Sequence, residues 1–171
     1  MHGASSNETI VLGIDPGSRV TGYGLVREAS GCLQLLEAGT LRVGSIADLG
    51  VRLGRIHTGL TELIERFQPN EAAIENVFVS KNVMSALKLG QARGAAIAAC
   101  AVAGLPVSEY EPTLVKQTLV GNGRAEKSQV AFMVAQVLGV RQPDWAVDAS
   151  DALGIAVCHL NMRRMRRLAG V

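Results

Sequence analysis

The chain has 171 residues, with 17 Lys and Arg against 15 Asp and Glu and a net charge of +2. That length suits one domain, at roughly 100–200 residues per domain, with enough core to stand without disulfide or metal staples. The 48% hydrophobic share excludes a disordered chain, and the charge taken alone speaks against a strongly basic nucleic-acid binder.

Residues 1–8 are short and polar, lack the apolar segment of a secretory signal, and are expected to be a disordered extension. The longest uncharged apolar run, residues 94–107, is closed by Gly104 and Pro106. It falls short of the ~20 residues that span a bilayer, so no membrane association and a cytoplasmic location are expected. Cys32, Cys100 and Cys158 lie far apart with no CxxC, and are expected to be small buried apolar residues. His2, His57 and His159 do not cluster and read as structural or solvated.

In chain order, residues 9–15 (TIVLGID) form an apolar run closed by Pro16-Gly17, a strand and then a turn. Residues 21–26 and 33–41 read as second and third strands, close enough in sequence for antiparallel hairpins. Leu49, Leu53, Ile56, Leu60, Leu63 and Phe67 then step by three or four, the mark of one apolar helix face, and Pro69-Asn70 stops that helix. Residues 71–77 read as a strand with Ile74 and Glu75 on opposite faces.

Residues 82–103 form a long helix on which Gly90, Gly94 and Ala98 share a face, fit either for helix-on-sheet packing or for a helix pair between two copies. Residues 105–110 give a fifth strand, and 112–120, 125–138 and 146–167 three more helices. The order predicts an α/β protein with a sheet of mixed direction.

The chemistry candidates are acids in unusual places. Asp15 ends an apolar strand, Glu75 sits inside another, and Asp148 and Asp151 are three apart at the apolar helix start AVDASDALGIAV. At that spacing their Cβ atoms are about 5–6 Å apart on one helix face. Crowded, desolvated carboxylates repel. A helix N-terminus offsets only ~0.3–1 kcal/mol of this, whereas a divalent cation converts the repulsion into shared ligation. Oxygen-only donors favour Mg²⁺ or Mn²⁺ over zinc. Individually, Asp15 also suits a turn cap, and the two helical acids suit a first turn. Glu75 is hardest to dismiss, because a glutamate in a buried strand needs a partner.

Four blocks then form a pattern. LGIDPGSRVTGYGLV (12–26), AIENVFVSKNVMSALKLGQARGAA (73–96), VKQTLVGNGRAEKSQV (115–130) and VDASDALGIAVCH (147–159) closely resemble the RuvC-type Holliday-junction resolvases, in that family's order and spacing. The resemblance implies a ribonuclease H-like fold, here a mixed five-stranded sheet flanked by helices, over residues 9–160, with a basic tail at 161–171. It implies a homodimer that nicks two strands of a four-way DNA junction symmetrically, in partnership with the RuvA–RuvB branch-migration machinery. The family's catalytic and metal-holding acids fall on Asp15, Glu75, Asp148 and Asp151. Two Mg²⁺ ions per subunit, about 3.5–4 Å apart in such sites, are implied as cofactors, with Mn²⁺ as a substitute.

Phe78 matches a family aromatic that stacks on unpaired bases near the cut, and Lys116 and Lys127 match lysines near the scissile phosphate. Lys81, Lys88 and Arg93 follow the Glu75 strand and are candidate phosphate contacts. Arg163, Arg164, Arg166 and Arg167 can add unspecific DNA affinity. If the four acids are met by cations, the rest of the chain is distinctly basic, and the small net charge no longer speaks against DNA. The actin and sugar-kinase type of ATP-binding architecture also opens on a strand carrying an Asp, but needs two such domains, more than this length holds.

Overall fold

A computed structural model describes residues 8–76 and 82–170. Phe78, Lys81 and residues 1–7 of the expected N-terminal extension lie outside the described residues. Glu8, assigned to that extension, is the first residue of a strand and pairs with Ala29. The elements are β1 (Glu8–Asp15), β2 (Val20–Ala29), β3 (Cys32–Arg42), α1 (Leu49–Phe67), β4 (Glu71–Glu75), α2 (Val83–Val102), β5 (Val107–Tyr110), α3 (Pro112–Val120), α4 (Lys127–Val137) and α5 (Val147–Ala169). They form one five-stranded sheet in the order β3-β2-β1-β4-β5. The first three strands are an antiparallel meander, whereas β4 and β5 run parallel to β1 and reach their places through helical crossovers. The expected mixed five-stranded α/β sheet is the one observed.

Alternation along the central strands sorts the core into two halves. Leu12, Ile14, Leu25 and Ile74 pack with Ile56 and Leu60 of α1 and with Ala92, Ala96 and Cys100 of α2. Val11, Val26 and Ala73 pack on the other face with Leu119 of α3, Val134 of α4 and Leu153 of α5. This alternation puts Asp15 and Glu75 on the α5 face, each two residues beyond a position that faces α5: Gly13 in β1 and Ala73 in β4.

Local signals set most helix ends. The Asp48 carboxylate accepts from Val51 N at 2.8 Å and starts α1, and the Asn82 side chain accepts from Ser85 N at 3.1 Å and starts α2. Helix α1 closes one residue before Pro69: Gln68 adopts the left-handed conformation (φ 48°) and its N–H reaches Ile64 O. One expectation fails: Cys32 is exposed, because it opens β3 just after the Gly31 turn at the sheet's outer edge, whereas Cys100 and Cys158 are buried.

A buried polar relay ties the later turns of α5 to the sheet. Arg166 donates to Tyr110 Oη (3.2 Å), Tyr110 contacts His159 Nδ1 (2.8 Å), and His159 Nε2 contacts Glu71 Oε2 (2.7 Å). Arg163 Nε meets the other Glu71 oxygen at 2.8 Å. A neutral His159 with its proton on Nε2 satisfies every link. The basic run expected as a tail is thus helical through Ala169 and partly engaged inward.

Burial works against the Glu71 charge, but the His159 hydrogen bond and Arg163 outweigh it and hold the carboxyl below its usual range; burial lowers His159 as well. The Glu71 contribution to stability is therefore present above the ordinary glutamate range and lost as pH falls through the folded value. Glu71→Gln is expected to cost about 1–3 kcal/mol at neutral pH and progressively less below about pH 4, measured as the unfolding midpoint across pH.

Candidate active site: four carboxylates on a glycine seat

Asp15 and Glu75 end neighbouring parallel strands whose ladder is in register at Ile14 and Ile74, one residue earlier. Their side chains share one face of the sheet, and α5 lies on that face. What lets the helix come so close is the glycine content beneath it. A Cβ on Gly13 would stand 2.1 Å from Ala152 O, one on Gly22 would stand 2.0 Å from Asp148 O, and one on Gly24 would stand 2.6 Å from Leu153 Cδ2. In the β1–β2 hairpin Gly13 pairs with Gly24 and Asp15 with Gly22. Three glycines therefore form a seat without side chains, and the first turns of α5 rest on its backbone. Asp148 and Asp151 are carried by those turns to Asp15.

The electrostatics record this crowding. Burial, followed by the charges of Glu75, Asp151 and Asp148, pushes the Asp15 carboxyl up to about 7. Burial and then Asp151 raise Glu75, while Lys127 and Lys116 oppose the shift. Lys127 Nζ donates to Asp151 Oδ2 at 2.7 Å, and this bond leads in keeping its ammonium charged. Lys116 lies in the same cleft, which Glu75, Lys116, Lys127, Asp151, Pro112 and Val115 help to line.

Among the described residues no three His, Cys, Asp or Glu side chains close on one point as a preformed three-ligand nest. The donor chemistry nevertheless fits a hard divalent cation: the donors are all oxygen, partly desolvated, and destabilised by one another's charge. Cation binding would relieve the same repulsion that raises Asp15.

The structure thus brings together Asp15, Glu75, Asp148 and Asp151, and places Lys116 and Lys127 beside them. Lys88 is exposed on α2. Arg93, a candidate phosphate contact, has a side chain that is 21% exposed: its Nε donates to the Glu75 main-chain oxygen at 3.3 Å and its Nη2 lies 2.7 Å from Glu109 Oε2. Sequence reasoning missed the glycine seat. Its signal was available, since Gly13 stands two residues before Asp15 and so on the same strand face.

A ribonuclease H-like sheet with acids gathered on β1, β4 and α5 is the kind of site that suits a class, the nucleases that hydrolyse phosphodiesters. The comparisons narrow it. Residues 11–159 match the family described as "Crossover junction endodeoxyribonuclease RuvC". A protein of that name from Solidesulfovibrio magneticus is 65% identical over 98% of this chain and 98% of its own, and one from Oleidesulfovibrio alaskensis is 61% identical over 93% and 95%. The structure of T. thermophilus RuvC in complex with a Holliday junction substrate superposes with a TM-score of 0.86 at 37% identity, covering 92% of this chain and 96% of that one. The chain belongs to the RuvC family of crossover junction endodeoxyribonucleases. Nucleases of this family depend on divalent metal ions.

Among the described residues no helix is long and apolar enough to cross a membrane.

Proposed function

We propose that this protein is a homodimeric endonuclease that resolves four-way DNA junctions by paired symmetric nicks during recombination and repair. The observation that carries this reading is the gathering of Asp15, Glu75, Asp148 and Asp151 at one end of the sheet, flanked by Lys116 and Lys127, in a member of this family. The junction as substrate comes from the T. thermophilus relative, which was determined with it.

Two Mg²⁺ ions, replaceable by Mn²⁺, are the cofactors we assign. Asp15 would contact both, Glu75 would hold one, and Asp148 with Asp151 the other. Such ions activate water, neutralise the phosphate and stabilise the leaving oxygen. The chain's own residues do the rest. Lys127 holds the Asp151 carboxylate by its hydrogen bond. With Lys116 it also supplies positive charge in the cleft where a phosphodiester would lie. Phe78 is assigned to stacking on an unpaired base near the cut, worth ~1–3 kcal/mol per base, and Lys81 and Lys88 to phosphates. Residues 9–160 are read as the nuclease domain and the basic residues 161–171 as a source of unspecific DNA affinity. Action in the cytoplasm with the RuvA–RuvB complex belongs to the same reading.

Helix α2 supports the homodimer. Its sheet-facing side is Ala92, Ala96, Ala99 and Cys100. Gly90 and Gly94 face open space instead, and Val83, Leu87 and Val102 are 80%, 53% and 81% exposed. Of the two uses of the small-residue stripe, helix-on-sheet packing is taken by the alanines, which favours a second α2 on the other side. Leu87→Glu is expected to shift the protein from dimer to monomer in sedimentation equilibrium and to replace paired nicks by single ones.

Purified protein and a synthetic mobile four-way junction test the whole reading. Paired symmetric nicks in Mg²⁺ and none in EDTA are expected. Equal cutting of linear duplex or structured RNA, or junction binding without cleavage, would overturn it.

A further inference from the structure

We propose that Arg93 is a positioning residue for the active site: from α2 it grips the main-chain carbonyl of Glu75 and the Glu109 carboxylate together, and so fixes the direction in which the Glu75 side chain leaves the end of β4. The inference rests on the reading of Glu75 as a metal-holding carboxylate.

The paired ladder between β1 and β4 runs only to Ile14 and Ile74. On the other side β4 remains paired with β5 through Glu75 and Tyr110, and Asn76 N donates to Tyr110 O at 2.8 Å. At Glu75 the strand is thus held on its β5 side only, and on the β1 side its backbone needs another restraint if its carboxylate is to keep station beside Asp15. Arg93 Nε supplies one at 3.3 Å. Its Nη2 is anchored 2.7 Å from Glu109 Oε2, and Glu109 is the β5 residue paired with Ile74. One guanidinium therefore joins α2, the end of β4 and β5.

The side chain is 21% exposed and already engaged at two points. It is poorly placed for a phosphate contact of the kind its position in the sequence suggests. The cations that act on the Glu75 carboxylate are Lys127 and Lys116; Arg93 acts on the main chain. The geometry also explains why the residue is arginine. The directed hold is the Nε–H bond to the Glu75 carbonyl, with Nη2 meeting Glu109 as a close charge contact outside hydrogen-bond alignment; a lysine ammonium on a flexible stem holds the same pair far less rigidly.

The positioning role and a DNA-contact role part company at Arg93→Lys. A phosphate contact made by charge largely survives that change; a two-point grip does not. The experiment compares wild type, Arg93→Lys, Arg93→Gln and Glu109→Gln in single-turnover cleavage across Mg²⁺ concentrations. Junction affinity in Ca²⁺ and the unfolding midpoint are measured alongside.

Both Arg93 variants are expected to cut about tenfold to a hundredfold more slowly and to need more Mg²⁺ for half-maximal rate. Junction affinity should stay within about twofold of wild type, because a group that does not touch the DNA removes rate and not uniform binding. Glu109→Gln should shift rate and Mg²⁺ requirement the same way by less, and it carries the test if the Arg93 variants fold poorly. Arg93→Lys cutting at the wild-type rate, or affinity and cleavage falling in proportion in Arg93→Gln, would overturn the role. A wild-type protein that fails to cut in Mg²⁺ would instead overturn the reading of Glu75 on which it rests.

Discussion

Asp15→Asn is expected to abolish cleavage, by roughly a thousandfold or more, and to leave junction binding largely intact. Asp15 is the acid in electrostatic contact with all three of the others, and an amide in its place is a poor ligand for a hard cation. A second effect has the opposite sign. The Asp15 carboxyl is raised from 3.8 to about 7 by burial and by its acidic neighbours. Below the lower value it is neutral both folded and unfolded and contributes nothing. Between the two values the unfolded chain ionises while the folded one keeps its proton, so stability falls as pH rises.

Asp15→Asn removes that penalty. In buffer free of divalent cations the variant should unfold at a higher temperature than wild type at pH 8, with the gain shrinking to nothing near pH 4. Added Mg²⁺ should raise the wild-type midpoint and leave the variant nearly unmoved. An inactive variant that was no more stable than wild type at pH 8 would contradict the crowding from which the site is inferred. A variant that still cut would contradict the site itself.

Gly22→Val is expected to cost more than an ordinary overpacked core residue, for which 1–3 kcal/mol is typical. The new Cβ would meet Asp148 O at 2.0 Å, and a main-chain oxygen cannot rotate aside as a side-chain tip can. Helix α5 has to lift from β2, and the helix carries Asp148 and Asp151 with it. At about 2–4 °C per kcal/mol for a chain of this size, the unfolding midpoint should fall by roughly 10 °C. Cleavage should be lost even at temperatures where the variant is folded. Gly22→Ala brings the same Cβ and should show the same pattern more mildly. Near-wild-type stability with full cleavage in Gly22→Val would mean that the helix does not rest on the glycine backbone.

These two sites differ in how far the sequence revealed them. The four acids stood out because a carboxylate at the end of an apolar strand, or doubled on an apolar helix, needs an explanation. Apolar runs closed by turn residues placed the strands to within a few residues, and steps of three or four placed α1, since burial on one helix face imposes that period. The order β3-β2-β1-β4-β5 was not legible as a pattern, because pairing between distant segments leaves no local trace. The use of Gly13, Gly22 and Gly24 was only partly legible: Gly13 shares the strand face of Asp15, but nothing local says which element would rest there. Glycine is read as a turn residue in isolation, and its value here is the side chain it withholds from a helix over a hundred residues away. The contacts of Arg93 were not legible either: the end of β4 and the Glu109 carboxylate that engage it come from elements that only the fold brings beside it.

The seat makes the acid cluster a long-range contact. The glycines and Asp15 belong to the β1–β2 hairpin, while Asp148 and Asp151 ride on α5, more than a hundred residues further on. Two of the four acids therefore reach the other two only when that helix is docked, and a change that loosens the helix from the hairpin backbone separates the acids without touching any of them.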